Sequence, residues 1–299
     1  MRLMVTGARG FVAGSLLRQA GDGVEVHAVS RGDAIYQRPG MVWHGTDLCD
    51  SAALRRLVEM VQPDAIVHTA AIADIDYCEA HRDEAEQVNA GVPRVLAEVC
   101  ADAGIRLVHV STDTVFDGEK GLYAEGDPPG PLNFYAETKV WAEEAVSAMP
   151  TNWVVARTSL VMGLPVLGRG NSFLSRMMDK FKAGENVGVP DKEIRSAIDV
   201  ITLGRALLEL ATNDYVGYLH LAGNDVENRY EMVCRLAQKL GYSRELVYAN
   251  DPSAISGRAP RPRDVSLDNA KARALLENPM CGLLEGLDRV LAVKKETAP

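Results

Sequence analysis

The first fourteen residues place the strongest constraint on this chain. A short apolar run, Arg2 to Val5, meets Thr6-Gly7-Ala8-Arg9-Gly10-Phe11-Val12-Ala13-Gly14, and Phe11 to Gln19 then reads as an amphipathic helix. Glycines at such a junction let the backbone turn tightly and approach a pyrophosphate, which the open helix amides and the helix dipole then hold. Ala13 keeps a small side chain where strand and helix must pack closely. A tight strand–helix turn without a ligand is the plain alternative. The flanking strand and helix are the context that favours a dinucleotide.

The alternation continues. Strands are expected at Val24 to Val29, Met41 to His44, Ala65 to Thr69, Arg106 to Val110 and Trp153 to Thr158, and helices at Leu54 to Val61, Asp83 to Ala103 and Tyr135 to Ala148. Strand–helix alternation at this spacing implies a parallel sheet covered on both faces. Central strands of such a sheet are apolar throughout, as Ala65-Ile66-Val67 and Leu107-Val108 are. The predicted class is therefore α/β, a Rossmann-type doubly wound parallel sheet with a smaller C-terminal lobe. After Leu160 the rhythm changes. A glycine-rich loop spans Gly163 to Gly170, a helix Phe173 to Phe181, and an irregular stretch Gly184 to Asp191. A helix from about Val200 to Leu210, a strand at Tyr218 to Leu221 and a helix at Tyr230 to Leu240 follow. Asp251 to Asp264, rich in Pro, Arg and Gly, reads as an ordered loop or flap, and Lys294 to Pro299 as a frayed end. The division is a dinucleotide-binding domain over 1–160, to which 196–222 returns, and a substrate-binding lobe from 161–195 and 223–299.

Composition excludes several other classes. With 299 residues the chain has room for two such units and needs no disulfide staple. A formal net charge of -9 argues against a nucleic-acid binder, which carries a basic face. Five cysteines, none in a Cys-x-x-Cys pair, read as free thiols in a reducing compartment. Six histidines without close metal spacing predict no metal site. Trp153 to Gly168 is the nearest approach to a membrane span, but Arg157 interrupts it and it is too short. The N-terminal apolar run enters the glycine turn directly, unlike a signal peptide. No membrane partner is expected, and the expected location is the cytoplasm.

The second strand ends in Val29-Ser30-Arg31-Gly32. An NAD-selective site places an acid near here for the ribose hydroxyls, whereas a hydroxyl and a guanidinium suit a 2′-phosphate. Arg9 can add to the same pocket. NADP(H) is the preferred cofactor on this reading. Asp33 stands nearby and keeps NAD(H) open.

Tyr135-Ala136-Glu137-Thr138-Lys139 puts a phenol and an ammonium on one helix face. A tyrosine of ordinary pKa about 10 is a poor acid–base group, and a neighbouring ammonium is expected to lower it. Among nine tyrosines, only Tyr135 has Lys four residues on. The pair follows a strand ending in Ser111-Thr112-Asp113, downstream of the dinucleotide turn, and Thr112 can bond a substrate carbonyl oxygen from that strand end.

Three stretches now carry a resemblance: Ser111-Thr112-Asp113-Thr114-Val115-Phe116-Asp117-Gly118, Tyr123-Ala124-Glu125, and Pro131-Leu132-Asn133-Phe134-Tyr135-Ala136-Glu137-Thr138-Lys139. With Gly-x-x-Gly-x-x-Ala at the turn, they make the chain resemble extended short-chain dehydrogenase/reductases, in particular the dTDP-4-dehydrorhamnose reductase branch. Ala70-Ala71, Ile75-Asp76-Tyr77-Cys78-Glu79, Asn89, Arg157-Thr158, Arg261-Pro262 and Ser266-Leu267-Asp268 match further landmarks, so the likeness covers about residues 1 to 276. The resemblance implies reduction of a nucleotide-linked 4-keto-sugar, with Tyr135 as proton donor, Lys139 its partner and a ligand of the nicotinamide ribose, and Thr112 the third catalytic residue. It puts Gly7, Gly10 and Phe11, with Val12 beside them, on the pyrophosphate. Asp47 and Leu48 fall near the adenine, Ala70 and Ala71 near the nicotinamide, and Asp113 at the sugar.

Leu160 stands where relatives carry a Trp that packs on the sugar, and Asp191-Lys192-Glu193-Ile194-Arg195-Ser196-Ala197 replaces their Asp-Gln-x-x-x-Pro-Thr. These departures leave the reaction type intact and the sugar open. An epimerase or dehydratase with bound NAD is disfavoured by Thr114, since dehydratases carry Asp-Glu after the Thr. A regulatory subunit resembling the methionine adenosyltransferase β subunit is the reading from a different class. Arg195, Arg258, Arg261 and Arg263 stand in loops and suit a substrate diphosphate, Arg195 and Arg261 foremost. Their alternative is surface pairing with Glu193, Asp251 and Asp264. The oligomeric state is open, a homodimer included.

Overall fold

The computed structural model describes residues 1–167, 172–251, 255 and 257–297. Positions 168–170 of the expected glycine-rich loop, 252–254 and 256 of the Pro/Arg-rich stretch, and 298–299 of the expected frayed end lie outside the described residues.

The first half runs β1 (Arg2–Thr6), α1 (Phe11–Gln19), β2 (Glu25–Ser30), β3 (Met41–Gly45), α2 (Ser51–Val61), β4 (Ala65–His68), α3 (Ile75–Ala80), α4 (Arg82–Glu86), α5 (Val92–Ala103), β5 (Arg106–Thr112), α6 (Phe134–Ser147) and β6 (Trp153–Thr158). The second half adds β7 (Val161–Met162), α7 (Phe173–Lys182), β8 (Val187–Pro190), β9 (Ile194–Arg195), β10 (Ile198–Asp199), α8 (Val200–Leu210), β11 (Gly217–Leu221), β12 (Glu227–Asn228), α9 (Arg229–Lys239), β13 (Val247–Asn250), α10 (Ala270–Leu275) and α11 (Leu283–Thr297).

Seven strands form one parallel sheet in the order β3-β2-β1-β4-β5-β6-β11. Successive side chains of a strand point to opposite faces. Leu3 and Val5 of β1 therefore join Leu16, Leu17, Leu203 and Leu207 beneath α1 and α8. Met4 joins Leu54, Ile66, Leu96, Leu107 and Val146 on the other face, under α2, α5 and α6. Burial on both faces is what demands uninterrupted apolar strands. The order reverses between β1 and β4, which opens a crevice at their C-terminal ends.

A separate core gathers Met162, Leu174, Phe181, Val233, Leu236 and Leu287. It comes from the segments after β6, whereas α8 and β11 go back to the sheet. Three expectations need correction here. Gly184 to Asp191 is not wholly irregular: Val187–Pro190 is a strand paired in parallel with β13, about sixty residues on. Its short Val-Gly-Val-Pro run carries too little periodicity to reveal a partner that distant. The end expected to fray from Lys294 is helical as far as Thr297, where α11 stops. The expected helix Asp83 to Ala103 is likewise broken in kind, with a π-helical turn at Gln87–Gly91 between α4 and α5. Among the described residues, no helix is long and apolar enough to cross a membrane.

Candidate active site

The glycine turn closes at the C-terminal end of β1. Gly7 has φ of +70°, a region that L side chains rarely adopt, and a Cβ there would lie 2.8 Å from the backbone of Ala70. Gly10 N donates to Gly7 O at 2.7 Å. Gly10 is also the N-cap of α1 and supplies no side-chain acceptor, so the first helix amides are open to an anion. A cavity of about 390 Å³ lies over this turn, lined by Gly7, Arg9, Gly10, Ser30, Arg31, Asp47, Leu48, Ala70 and Ala71 among others. Nine of the residues expected to bind a cofactor thus share one wall. Phe11 and Val12 are not in that lining; their side chains pack against the second-lobe core and the sheet core respectively.

At the far end of the cavity, Arg9 Nη1 donates to Asp33 O at 3.0 Å and would crowd any Cβ on Gly32. Ser30 is buried, yet its Oγ has no partner among the described residues. An unpaired buried hydroxyl in a cavity wall that also carries Arg9 and Arg31 fits a phosphorylated ribose. The cradle at Gly7 fits a pyrophosphate. The residues present therefore suit a dinucleotide.

Tyr135 lies in the first turn of α6. Asn133 caps that helix by accepting from Ala136 N at 3.0 Å, and Glu79 accepts from Phe134 N at 2.7 Å. The phenol is buried with Ile72, Cys78 and Phe134, and Ile72 also lines the cavity. The Thr112 hydroxyl is within hydrogen-bonding reach of it. Burial pushes the phenol's pKa up, against the Thr112 hydrogen bond, with Asp113 and Cys78 raising it further. This corrects the expectation that Lys139 would lower it. Lys139 Nζ points down toward the sheet instead, donating to Val110 O at 2.8 Å and lying 3.1 Å from His109 Nε2. Burial draws the lysine down to about 8, with Glu143 opposing.

The π turn turns Asn89 inward. Its Oδ1 accepts from Ile72 N at 2.8 Å, and its Nδ2 donates to Ile72 O at 3.0 Å and to Thr138 Oγ1 at 3.3 Å. One amide thereby ties the loop after β4 to the helix that carries Tyr135 and Lys139. The extra residue of a π turn is what allows a side chain to leave the regular helix face.

The expected substrate residues separate. Asp113 is buried, its carboxylate accepting from Ser159 Oγ at 3.0 Å and lying 3.8 Å from Arg195. Burial raises it, while Arg195, Ser159 and Thr112 hold it down. Arg195 is buried too, with donors on the carbonyls of Ile194, Pro262 and Arg263. Arg261 instead lines a second cavity of about 490 Å³ with Lys192, Asn250, Arg258 and Arg263. It grips Asp76 of α3 through both terminal nitrogens, at 2.6 and 2.8 Å. Ala259 N reaches the same carboxylate at 2.8 Å. These bonds hold Asp76 below the usual carboxylate range, with the Arg261 hydrogen bond the largest cause. Glu193 does pair with Arg258, but as a buried carboxylate and not at the surface as the alternative supposed, and it also takes Arg229 and lies near Arg195. Burial would raise its pKa; the three guanidiniums outweigh that and lower it. Arg263 has no carboxylate partner among the described residues. Sequence reading missed His68 and His109. The signal was present: each is a lone imidazole in an apolar parallel strand, His68 at the end of β4 and His109 midway along β5.

A family model, described as the RmlD substrate binding domain, matches residues 1–295. The chain is 31% identical over 280 residues to methionine adenosyltransferase 2 subunit beta of Rattus norvegicus, covering 92% of this chain and 82% of that protein. It is 32% identical over 267 residues to the dTDP-4-dehydrorhamnose reductase of Mycobacterium tuberculosis, covering 87% and 82%. A hypothetical dTDP-4-dehydrorhamnose reductase from Sulfolobus tokodaii shares the fold at a TM-score of 0.84 and 30% identity, over 96% of this chain and 99% of that one.

Proposed function

Because the chain belongs to the RmlD substrate-binding domain family of extended short-chain dehydrogenase/reductases, we propose that it is an NADP(H)-dependent reductase of a nucleotide-linked 4-keto-sugar, of the dTDP-4-dehydrorhamnose reductase kind. The observation that carries this reading is the meeting of the Thr112 and Tyr135 hydroxyls, with Lys139 one turn further along α6, in a cluster that shares Ile72 with the cavity over the glycine turn. Gly7, Gly10 and the amides of Phe11 and Val12 hold the pyrophosphate. Arg9, Ser30 and Arg31 hold the 2′-phosphate, Asp47 and Leu48 border the adenine, and Ala70 and Ala71 border the nicotinamide. A dinucleotide bound there supplies the hydride.

The chain's own groups manage the proton. Tyr135 keeps its proton while the ketone is intact, since burial raises its pKa. It releases that proton to the substrate oxygen as charge develops there, and Thr112 donates a hydrogen bond to the same oxygen. Lys139, which does not set the phenol's pKa in the unliganded chain, contacts the ribose and, one helical turn from Tyr135, offers its ammonium to the phenolate once charge is left there. The lobe from 161–195 and 223–299 holds the substrate's diphosphate, with Arg261, Arg258 and Arg263 at the cavity wall. Asp113 and Arg195 order the sugar side from beneath.

The decisive experiment measures NADPH oxidation against a panel of nucleotide 4-keto-sugars. Turnover of at least one at an ordinary enzymatic rate is expected, and none with any member overturns the reading. The likeness to a methionine adenosyltransferase subunit supports a second reading, a dinucleotide-binding regulatory subunit. Copurification with such an enzyme, together with silence across the panel, would favour it. A complete set of Thr112, Tyr135 and Lys139 supports catalysis.

A further inference from the structure

Behind Lys139 runs a row of polar side chains that the reaction as described does not use. Thr6, His68 and His109 are register partners on the adjacent strands β1, β4 and β5. Two residues earlier on the same strands, and on the same face, stand Met4, Ile66 and Leu107, all within an apolar core. Both imidazoles are 0% exposed and stack with centroids 5.3 Å apart. Thr6 Oγ1 lies 2.7 Å from His68 Nδ1. His109 Nε2 lies 3.1 Å from Lys139 Nζ. The remaining nitrogens, His68 Nε2 and His109 Nδ1, have no partner among the described residues. Two buried imidazoles, each with an unpaired nitrogen, are an expensive way to fill an apolar face. Leucine or valine would fill it without that cost.

We propose that His109, backed by His68 and Thr6, is a positioning residue that keeps Lys139 an ammonium and aims its one remaining N–H at the crevice. An ammonium has three protons to place and accepts none. Val110 O takes one and neutral His109 Nε2 takes the second, which leaves a single N–H for the phenol and the ribose. Nε2 can accept only if the ring's own proton sits on Nδ1. His109 stays neutral because burial, then Lys139, then His68 hold its pKa well below the ordinary value. His68 is likewise held down, to about 3, by burial and then by Lys139.

The groups facing Lys139 are His109 from β5, His68 behind it on β4, and Glu143 one turn further along α6. Tyr135 lies one turn before it, with Asp113 and Cys78 facing the phenol. Glu143 is itself occupied by Arg157 of β6 and Ser111 of β5. His109 is thus the only neutral side-chain acceptor on Lys139 among the described residues. An acceptor on the charged form favours that form, so its removal must lower the lysine's pKa further. Near neutral pH a larger share of Lys139 would then be the uncharged amine.

The inference rests on the catalytic reading of Lys139, so its first test is made on unliganded protein, where no activity is needed. The ¹³Cε resonance of Lys139, identified by its loss in Lys139→Met, is followed with pH. His109→Phe keeps a flat ring and removes the acceptor; His109→Gln restores one at the Nε2 position. The Phe variant should titrate at least about half a unit below the parent, and the Gln variant should recover most of that difference. An unchanged midpoint in the Phe variant overturns the proposal, as does a Gln variant that falls equally far. If the Phe variant does not fold, ¹⁵N spectra of the parent decide, because a proton on Nε2 of His109 also overturns it. In the active enzyme the alkaline limb of kcat/KM should move down with the Lys139 midpoint while substrate KM stays put. Absence of reductase activity counts against the function proposed above, and the titration still decides the role of His109.

Discussion

Replacing Gly7 with alanine probes the turn on which the cofactor reading depends. Its φ is +70°, and an added Cβ would stand 2.8 Å from both Cα and N of Ala70 and 3.0 Å from Thr69 Oγ1. None of these neighbours yields easily. Ala70 stands two residues beyond the end of β4, which is hydrogen-bonded on both sides, and the Thr69 hydroxyl between them is tied to Thr6 O at 2.8 Å. The left-handed conformation costs an alanine about 1–2 kcal/mol. Forcing a methyl against packed backbone costs about 1–3 kcal/mol more. The expected loss is therefore about 2–5 kcal/mol. At an unfolding entropy of about 2.1 cal/mol/K per residue, that lowers Tm by about 3–8 °C for a chain of this length. The clash falls on the cavity wall, so dinucleotide affinity should drop as well. Thermal unfolding with and without NADPH measures both effects. Gly23→Ala is the control: nothing lies within 4 Å of its added Cβ, and it should change stability by less than about 1 kcal/mol. A Gly7→Ala protein that melts with the parent and binds NADPH equally well would refute the argument.

Three further outcomes are expected. Tyr135→Phe should cut turnover by about 10²–10⁴-fold with dinucleotide affinity nearly unchanged, and retention of more than about a tenth of parental activity removes Tyr135 from its role. Arg31→Ala should weaken NADPH by about 1.5–3 kcal/mol and leave NADH unaffected, as two dissociation constants will report; equal affinity for both dinucleotides in the parent refutes the 2′-phosphate assignment. Arg261→Ala should weaken a nucleotide-sugar by a similar 1.5–3 kcal/mol or so and spare NADPH, and calorimetry showing equal loss for both ligands counts against the lobe's role.

Local chemistry was legible in the sequence because its causes are local. The glycine turn is a property of nine consecutive residues, Thr6 to Gly14, and the shared face of Tyr135 and Lys139 follows from helical spacing alone. The sheet was legible because burial on both faces forces apolar runs between helices. Tertiary structure decided everything that joins distant segments. Asp76 meets Arg261 across 185 positions, and β8 finds β13 through two short runs that carry no pairing signal of their own. The direction in which Lys139 points was likewise decided in three dimensions. The sequence placed an ammonium beside a phenol, but the acceptors that hold it, Val110 O and His109 Nε2, stand on a strand whose position depends on packing. The same holds for the histidine row. Each imidazole is one polar residue in an apolar strand, and only the register of three parallel strands, set by burial of the residues around them, brings Thr6, His68 and His109 into line.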